Sequence, residues 1–423
     1  MARIKIEIKR LESTTYAFGS NLNYTFAIWI VSVIINYFLG AGELGKFSMI
    51  QAIISPLALF FQLQLKVLAT IEFNLKGKFS VYQKTILTSE FALILVISLI
   101  GLLTKQPGLF YAFGIFKVIE VYYNFIQGYY QSHNNFKYVF YNSTIRGVII
   151  VLFVILSLKL FKSTSLGFLG TSLILLPMIF FFDLKNISKE VPSILPGGSN
   201  EEAARLFLNG ASISLVAFMD SLMVSIPRYF IKIEYNDVEL GRFTMVLQFF
   251  IAATIFVVSV GHPFLVRLKT NLLNNDKRRF NNEIKLTLLI FLAASGLIII
   301  FFIVYSDFIM KIVWGRENVI LSNDLKLSLI GIVPLFLSSI FIYVINSLKY
   351  FKVHILYYPF VVIAEIIFGF YIIPLYGLRG GVLTIVFTQM IRMILSGMVF
   401  LVVLHRFKNG TDQAVIDHIT PAE

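Results

Sequence analysis

Five residues between positions 117 and 131 carry the densest polar chemistry in the sequence. Lys117, Glu120, Asn124, Gln127 and Gln131 follow a 3-4-3-4 spacing inside an otherwise apolar stretch. On an α-helix that spacing aligns all five on one face. The opposite face carries Val118, Val121, Tyr122, Phe125 and Ile126. Lipid cannot satisfy a continuous polar stripe, so it must face other helices or water. Further charges sit inside apolar stretches: Arg146, one turn after Asn142, then Asp220, Glu365 and Arg392. A charge at mid-membrane costs about 2.5–3.5 kcal/mol on insertion scales, so most such residues face a cavity or a functional pathway.

Two readings of these charges stand side by side. Glu120 with Lys117 or Arg146, and Glu365 with Arg392, fit internal salt bridges that fix helix packing. Lining a cavity, Lys117, Arg146 and Arg392 would balance Glu120, Asp220 and Glu365 on paper. With any one carboxylate neutral, the set turns net positive and suits phosphate or pyrophosphate, whose oxygens match the planar fork of arginine. The carboxylates are then candidates for a coupling proton or sodium ion, and Asn124 and Gln127 for substrate contacts. Pro227-Arg228 reads either as a kink bearing a second phosphate contact or as an arginine snorkelling to headgroups. Tyr122, Tyr123, Tyr129, Tyr130, Tyr138 and Tyr141 fit a sugar-stacking cluster or an interfacial belt.

The elements that must position these residues are membrane helices. The chain has 423 residues, 57% of them hydrophobic and only 14% charged. Apolar runs of about 20 residues, enough to cross a bilayer core of about 30 Å, recur throughout. Twelve such spans are expected, roughly 17–39, 46–65, 85–104, 109–130, 138–160 and 166–184, then 204–231, 242–265, 285–306, 325–348, 354–374 and 381–404. Runs this long and continuous must be helices, since barrel strands would be about ten residues and alternating. Lys185–Ser199, with Pro192 and Pro196-Gly197-Gly198, reads as a linker, and Ser199-Asn200-Glu201-Glu202 as a capping box opening the next helix.

Internal repetition divides the chain at that linker. Glu43-Leu44-Gly45-Lys46-Phe47-Ser48-Met49 returns as Glu239-Leu240-Gly241-Arg242-Phe243-Thr244-Met245, and Gly167-Phe168-Leu169-Gly170 as Gly377-Leu378-Arg379-Gly380. A weaker echo pairs Asn135-Phe136-Lys137 with Tyr350-Phe351-Lys352. The expected organisation is a six-helix lobe at 1–184, a cytoplasmic linker at 185–203 and a second six-helix lobe with a short tail at 204–423. Duplicated halves in a membrane chain point to a transporter. Lys and Arg are roughly twice as abundant on one side of the spans, which puts both termini in the cytoplasm. The net charge of +13 lies in the loops and suits membrane lipid headgroups and topology control better than nucleic acid. No cysteine is present, so a disulfide framework is excluded. No phosphate-loop signature and no room for a soluble domain are found, so no nucleotide hydrolysis and no cofactor is expected.

The two six-helix halves, the Glu-Leu-Gly-Arg-Phe-Thr-Met repeat and Gly-Leu-Arg-Gly-Gly at 377–381 resemble the multidrug/oligosaccharidyl-lipid/polysaccharide (MOP) exporter superfamily, in its polysaccharide-transporter or O-antigen flippase branch. The resemblance implies an all-α integral membrane fold with two pseudo-symmetric lobes. It implies flipping of undecaprenyl-pyrophosphate-linked oligosaccharide across a bacterial inner membrane, alongside glycan-assembly machinery. Intramembrane basic residues would hold the pyrophosphate, here Lys117, Arg146 and Arg392. A proton- or sodium-coupled drug exporter of the same superfamily is the second reading, and a membrane glycan polymerase or ligase the third.

Overall fold

Every regular element among the described residues of the computed structural model is helical, as spanning without water to bind the backbone requires. Residues 2–72, 74–104, 106–274, 276–348, 350 and 353–408 are described, those at 2–14 by backbone alone. The side chains of Arg3, Lys5, Lys9, Arg10 and Asn21, the echo at Phe351-Lys352 and the tail beyond 408 lie outside the described residues.

In order, the elements are α1 (Ala2–Phe61), α2 (Leu65–Ile71), α3 (Leu75–Leu102), α4 (Pro107–Ser132), α5 (Phe136–Phe161) and α6 (Thr164–Ile187). They continue with α7 (Asn200–Glu234), α8 (Asp237–Leu273), α9 (Lys277–Trp314), α10 (Arg316–Ser347), α11 (Val353–Tyr376) and α12 (Leu378–Lys408). Ten helical stretches among the described residues are long and apolar enough to cross a membrane. The first, Phe18–Thr70, runs 53 residues and joins two of the expected spans. Straight, it would measure about 80 Å; Gly40, at φ 81 and ψ 177, turns it in a conformation open essentially to glycine alone. The expected eighth span falls on α8, a helix of 37 residues with several side chains outside the described set. Helix covers the twelve expected spans, the second of them with a turn at 62–64.

The chain divides into two compact units, Met1–Ser225 and Ile226–Glu423. The division falls inside α7, well past the linker that the sequence marks. Two contacts tie the early turns of α7 to the first unit: Gly210 abuts the Leu63 carbonyl, and Phe218 meets Phe60 edge-on at 5.9 Å. Within that unit α5 runs along α1, and α4 packs on α2, α3 and α6. Within the second unit α12 packs on α11 and α10, and α10 on α8 and α9.

The linker is docked rather than loose. Gly197 N donates to the Ser80 carbonyl at 3.1 Å, and Lys84 Nζ to Asn200 Oδ1 at 2.5 Å. Glu190 lies 3.0 Å from Lys76 Nζ and accepts from Tyr129 Oη at 3.2 Å. The Lys76 hydrogen bond, with smaller help from Tyr129, holds the Glu190 carboxyl below the usual carboxylate range. The expected cap forms as well, with Glu202 N donating to Ser199 Oγ at 3.1 Å.

The repeated motifs meet one another in each unit. Phe47, 1% exposed, stacks on Phe168 with centroids 5.4 Å apart. Phe243 is buried with a ring carbon 2.8 Å from where a Cβ on Gly381 would stand. Each heptapeptide also closes an i,i+3 ion pair, Glu43 with Lys46 at 2.5 Å and Glu239 with Arg242 at 2.8 Å. These repeats are packing nodes, which explains their persistence through the duplication without assigning them chemistry.

One feature breaks the symmetry. The second crossing stops at residues 62–64, where Leu63 (φ 51) and Gln64 (φ 45) are left-handed, and resumes as α2. Left-handed backbone costs non-glycine residues roughly 1–2 kcal/mol each. Its repeat counterpart, α8, runs through unbroken. Side chains brace the break: Ser89 Oγ donates to the freed Phe61 carbonyl, and Asn124 Nδ2 to the Gln62 side chain at Oε1, 3.0 Å away. Close approach of α4 is allowed by Gly128, where a Cβ would lie 2.7 Å from the Lys66 carbonyl. Gly128→Val is therefore expected to lower the melting temperature in detergent, by overpacking of about 1–3 kcal/mol. Gly296→Val, with nothing within 4 Å of its Cβ, should leave the melt unchanged.

Candidate functional site

The polar stripe on α4 lies inside the first unit and is largely spent on partners. Lys117 Nζ sits 2.6 Å from Glu120 Oε2, and its ammonium lies 5.5 Å from the centre of the Phe113 ring. The pair is the internal salt bridge foreseen as an alternative, so Lys117 is neutralised where a phosphate ligand was expected. Asn124 holds Gln62, as above. Gln127 accepts from Lys66 Nζ at 3.0 Å and donates to Ser143 Oγ of α5 at 3.0 Å.

Arg146 is the exception. Its side chain is 1% exposed, with the guanidinium carbon 4.0 Å from the Tyr123 ring centre and 4.7 Å from that of Tyr24. Nε and Nη2 are buried with no hydrogen-bond partner. Stacking on two rings satisfies the faces of the cation and leaves its in-plane donors unused. Buried donors that make no bond cost about 1–3 kcal/mol each, so a group kept in this state is suited to a ligand.

Asp183 faces the same region from a π-helical turn at Ile179–Leu184 in α6, a distortion found often at functional sites. It is fully buried; Oδ1 accepts from Tyr138 Oη at 2.6 Å and Asn142 Nδ2 at 3.3 Å, while Oδ2 is unpartnered. Asn142 and Arg146 are one turn apart on α5, so both face Asp183. Arg146 lies within electrostatic reach of Asp183 but forms no ion pair with it.

The tyrosine cluster does not offer a stacking platform. Tyr122, Tyr123, Tyr129 and Tyr130 are buried, and their hydroxyls meet Gln83, Leu175 O, Glu190 and Asp183 O. Tyr138 is held by Asp183, and of the six only Tyr141 is exposed. Tyr129, 1% exposed, packs edge-on with Phe79 at 82°.

In the second unit, α11 and α12 meet along a polar seam. His354, Tyr358, Val361 and Glu365 share one face of α11, and Thr384, Thr388 and Arg392 one face of α12. Arg392 Nη2 donates to Tyr358 Oη at 3.0 Å, and its guanidinium carbon lies 5.6 Å from that ring. The expected Glu365–Arg392 salt bridge is not made: Glu365 is fully buried with Thr388 beside it, and neither carboxyl oxygen has a hydrogen-bond partner. His354 bridges Asn346 Oδ1 at 2.7 Å and Tyr357 Oη at 2.9 Å. Arg228 of α7 is 3% exposed with Nε unpartnered, so it does not snorkel to an interface. Asp220 is half-buried and engaged.

The structure thus gathers Glu120, Lys117, Asn124, Gln127 and Arg146 on α4 and α5 of the first unit, and Glu365 and Arg392 on α11 and α12 of the second. Four participants escaped the sequence reading. Asp183 and Glu90, which is 7% exposed with Oε1 unpartnered, are charges inside expected spans and were discoverable by that position alone. Lys66 lay one residue beyond a span boundary. His354 had no distinguishing signal.

No family model matches the chain. A Staphylococcus aureus capsular polysaccharide biosynthesis protein, CapF, is 24% identical over 398 residues, covering 88% of this chain and 97% of the relative. Among solved structures, a point mutant of the Vibrio cholerae MATE transporter VcmN aligns with a TM-score of 0.68 at 12% identity, covering 96% of this chain and 98% of that one. A MOP-superfamily transporter from Pyrococcus furiosus, described as having a binding pocket of reversed polarity, aligns at 0.63 and 13% identity, covering 94% and 96%. The chain has the fold of the MOP-superfamily membrane transporters and is a multi-pass membrane protein.

Proposed function

We propose that the chain is a flippase for a prenyl-(pyro)phosphate-linked oligosaccharide, such as an O-antigen or capsule repeat unit, working by alternating access in a bacterial inner membrane. The observation that carries this reading is Arg146, a stacked, buried guanidinium with two unused donors inside a transporter fold. A dianionic headgroup is the ligand such a group suits, and the likeness to a capsule biosynthesis protein supports the same cargo. Arg228 and Arg392, both in the second unit, are candidates for phosphate contacts of their own in this scheme, and the tail of the lipid stays in the bilayer. Membrane lipids and glycan-assembly enzymes are the partners; no cofactor is used beyond a coupling H+ or Na+.

The test is translocation in liposomes of purified protein carrying a fluorescent polyprenyl-pyrophosphate oligosaccharide on one leaflet. Appearance of the glycan to a glycosidase on the other side, at rates above protein-free vesicles, is the expected result. Background rates, with efflux of a cationic dye in the same vesicles, would favour the second reading. That reading, an ion-coupled drug exporter with Asp220, Glu120 or Glu365 as the ion site, draws on one observation, the unpartnered carboxyl of Glu365. Of the three acids Glu120 suits it least, being paired with Lys117.

A further inference from the structure

Lys117 is one of three basic candidates for the headgroup, yet its charge is cancelled by Glu120. A pyrophosphate carries more than one negative charge and is better matched by two cations than by one. The second must therefore be sought elsewhere in the first unit.

Lys66 meets the requirement. It stands in the first turn of α2, directly after the left-handed break at Leu63-Gln64. Its ammonium is fixed by Gln127 Oε1 at 3.0 Å, and Gln127 in turn donates to Ser143 of α5 at 3.0 Å. Ser143 and Arg146 are three residues apart on α5, so they share a face. The chain Lys66–Gln127–Ser143 thus leads to the side of α5 that bears Arg146. The charge acting on Lys66 is that of Arg146, and neither residue makes an ion pair among the described residues. Asp183, within electrostatic reach of Arg146, has one oxygen taken up by Tyr138 and Asn142. Two like charges held in electrostatic reach, with neither closed into an ion pair among the described residues, raise the energy of the empty site. An anion received there removes that repulsion. The helix break explains how Lys66 reaches the site: in the unbroken counterpart α8 no such turn exists.

We infer that Lys66 and Arg146 form a two-cation site for a pyrophosphate or phosphate group within the first unit, with Gln127 orienting Lys66. This rests on the flippase reading for the identity of the lipid, while the anion site itself is a separate claim. Lys117 and Glu120 serve as a packing pair beside it.

The experiment measures binding to the full chain in nanodiscs of three probes that share a tail: geranylgeranyl pyrophosphate, geranylgeranyl monophosphate and geranylgeraniol. The wild-type protein should prefer the pyrophosphate over the alcohol. Lys66→Gln should weaken pyrophosphate binding by about 10- to 100-fold, the loss of one charge-assisted hydrogen bond. It should leave the alcohol unaffected, and Lys66→Arg should recover most of the preference. The double variant Lys117→Gln/Glu120→Gln should bind within about threefold of wild type. Should Lys66→Gln not survive purification, Lys66→Met replaces it, keeping the aliphatic stem without the charge. Unchanged pyrophosphate affinity in a folded Lys66→Gln protein would overturn the inference while leaving the flippase reading to its own translocation assay. A wild-type protein that binds pyrophosphate and alcohol alike would remove both.

Discussion

Arg146→Ala is expected to reduce glycolipid translocation to the protein-free rate. The cation holds two buried donors that no protein atom uses, so its removal takes away recognition rather than a tertiary hydrogen bond from those donors. Its stacking on Tyr24 and Tyr123 does contribute to stability, about 2 kcal/mol or more for a desolvated cation–π contact. Alanine would also leave a cavity between two rings. For that reason Arg146→Met and Arg146→Lys separate the roles. Methionine fills much of the volume without charge and should keep the melt near wild type while translocation stays absent. Lysine keeps the charge but loses the planar fork, and should restore transport in part, roughly a tenth of the wild-type rate. Methionine restoring transport would show that Arg146 matters only as packing, and would withdraw the argument for an anionic cargo.

The helical architecture was legible because bilayer thickness dictates the length of apolar runs, and the expected spans are helical apart from the turn at 62–64. The periodicity of α4 correctly put Lys117, Glu120, Asn124 and Gln127 together. What periodicity could not supply was the choice of partner. Lys117 lies at i,i+3 from Glu120, a spacing at which an ion pair closes locally whatever lies across the helix. Arg146 has no acid at such a spacing, and its freedom depends on which helices bring Tyr24 and Tyr123 to its two faces. Lys66 was hidden for another reason. The sequence of the second crossing has no glycine or proline at 62–64, where the break falls. Tertiary hydrogen bonds that Ser89 and Asn124 donate, and that Gln127 accepts from Lys66, hold the residues around a turn that local propensity would not choose. The duplicated heptapeptide, by contrast, was the most visible feature and proved to be packing. Repetition conserves what folds both halves; asymmetry between halves, such as the break in the first and the unpartnered acid in the second, is where chemistry is to be sought.

That acid gives the second large effect. Glu365→Leu is expected to raise the melting temperature by several degrees and to abolish any ion-driven component of transport. Both carboxyl oxygens are buried without a hydrogen-bond partner, and Thr388 beside them donates its hydroxyl to the Thr384 carbonyl instead. Replacing an unsatisfied buried polar group by an apolar one of similar size is neutral or stabilising, by about 1–3 kcal/mol. Had Glu365 paired with Arg392, the same change would instead strand a buried cation and destabilise by about 3–5 kcal/mol. The sign of the stability change therefore tests the geometry directly, since Arg392 is bonded to Tyr358 and not to the acid. The functional half is read in vesicles with an imposed proton or sodium gradient. A group that exchanges an ion between two conformations biases their equilibrium only through differential affinity, so its loss should leave downhill exchange intact while uncoupling it from the gradient. Gradient-driven transport persisting in Glu365→Leu, whatever the melt, would remove this residue from the coupling scheme and leave Asp220 ahead of Glu120.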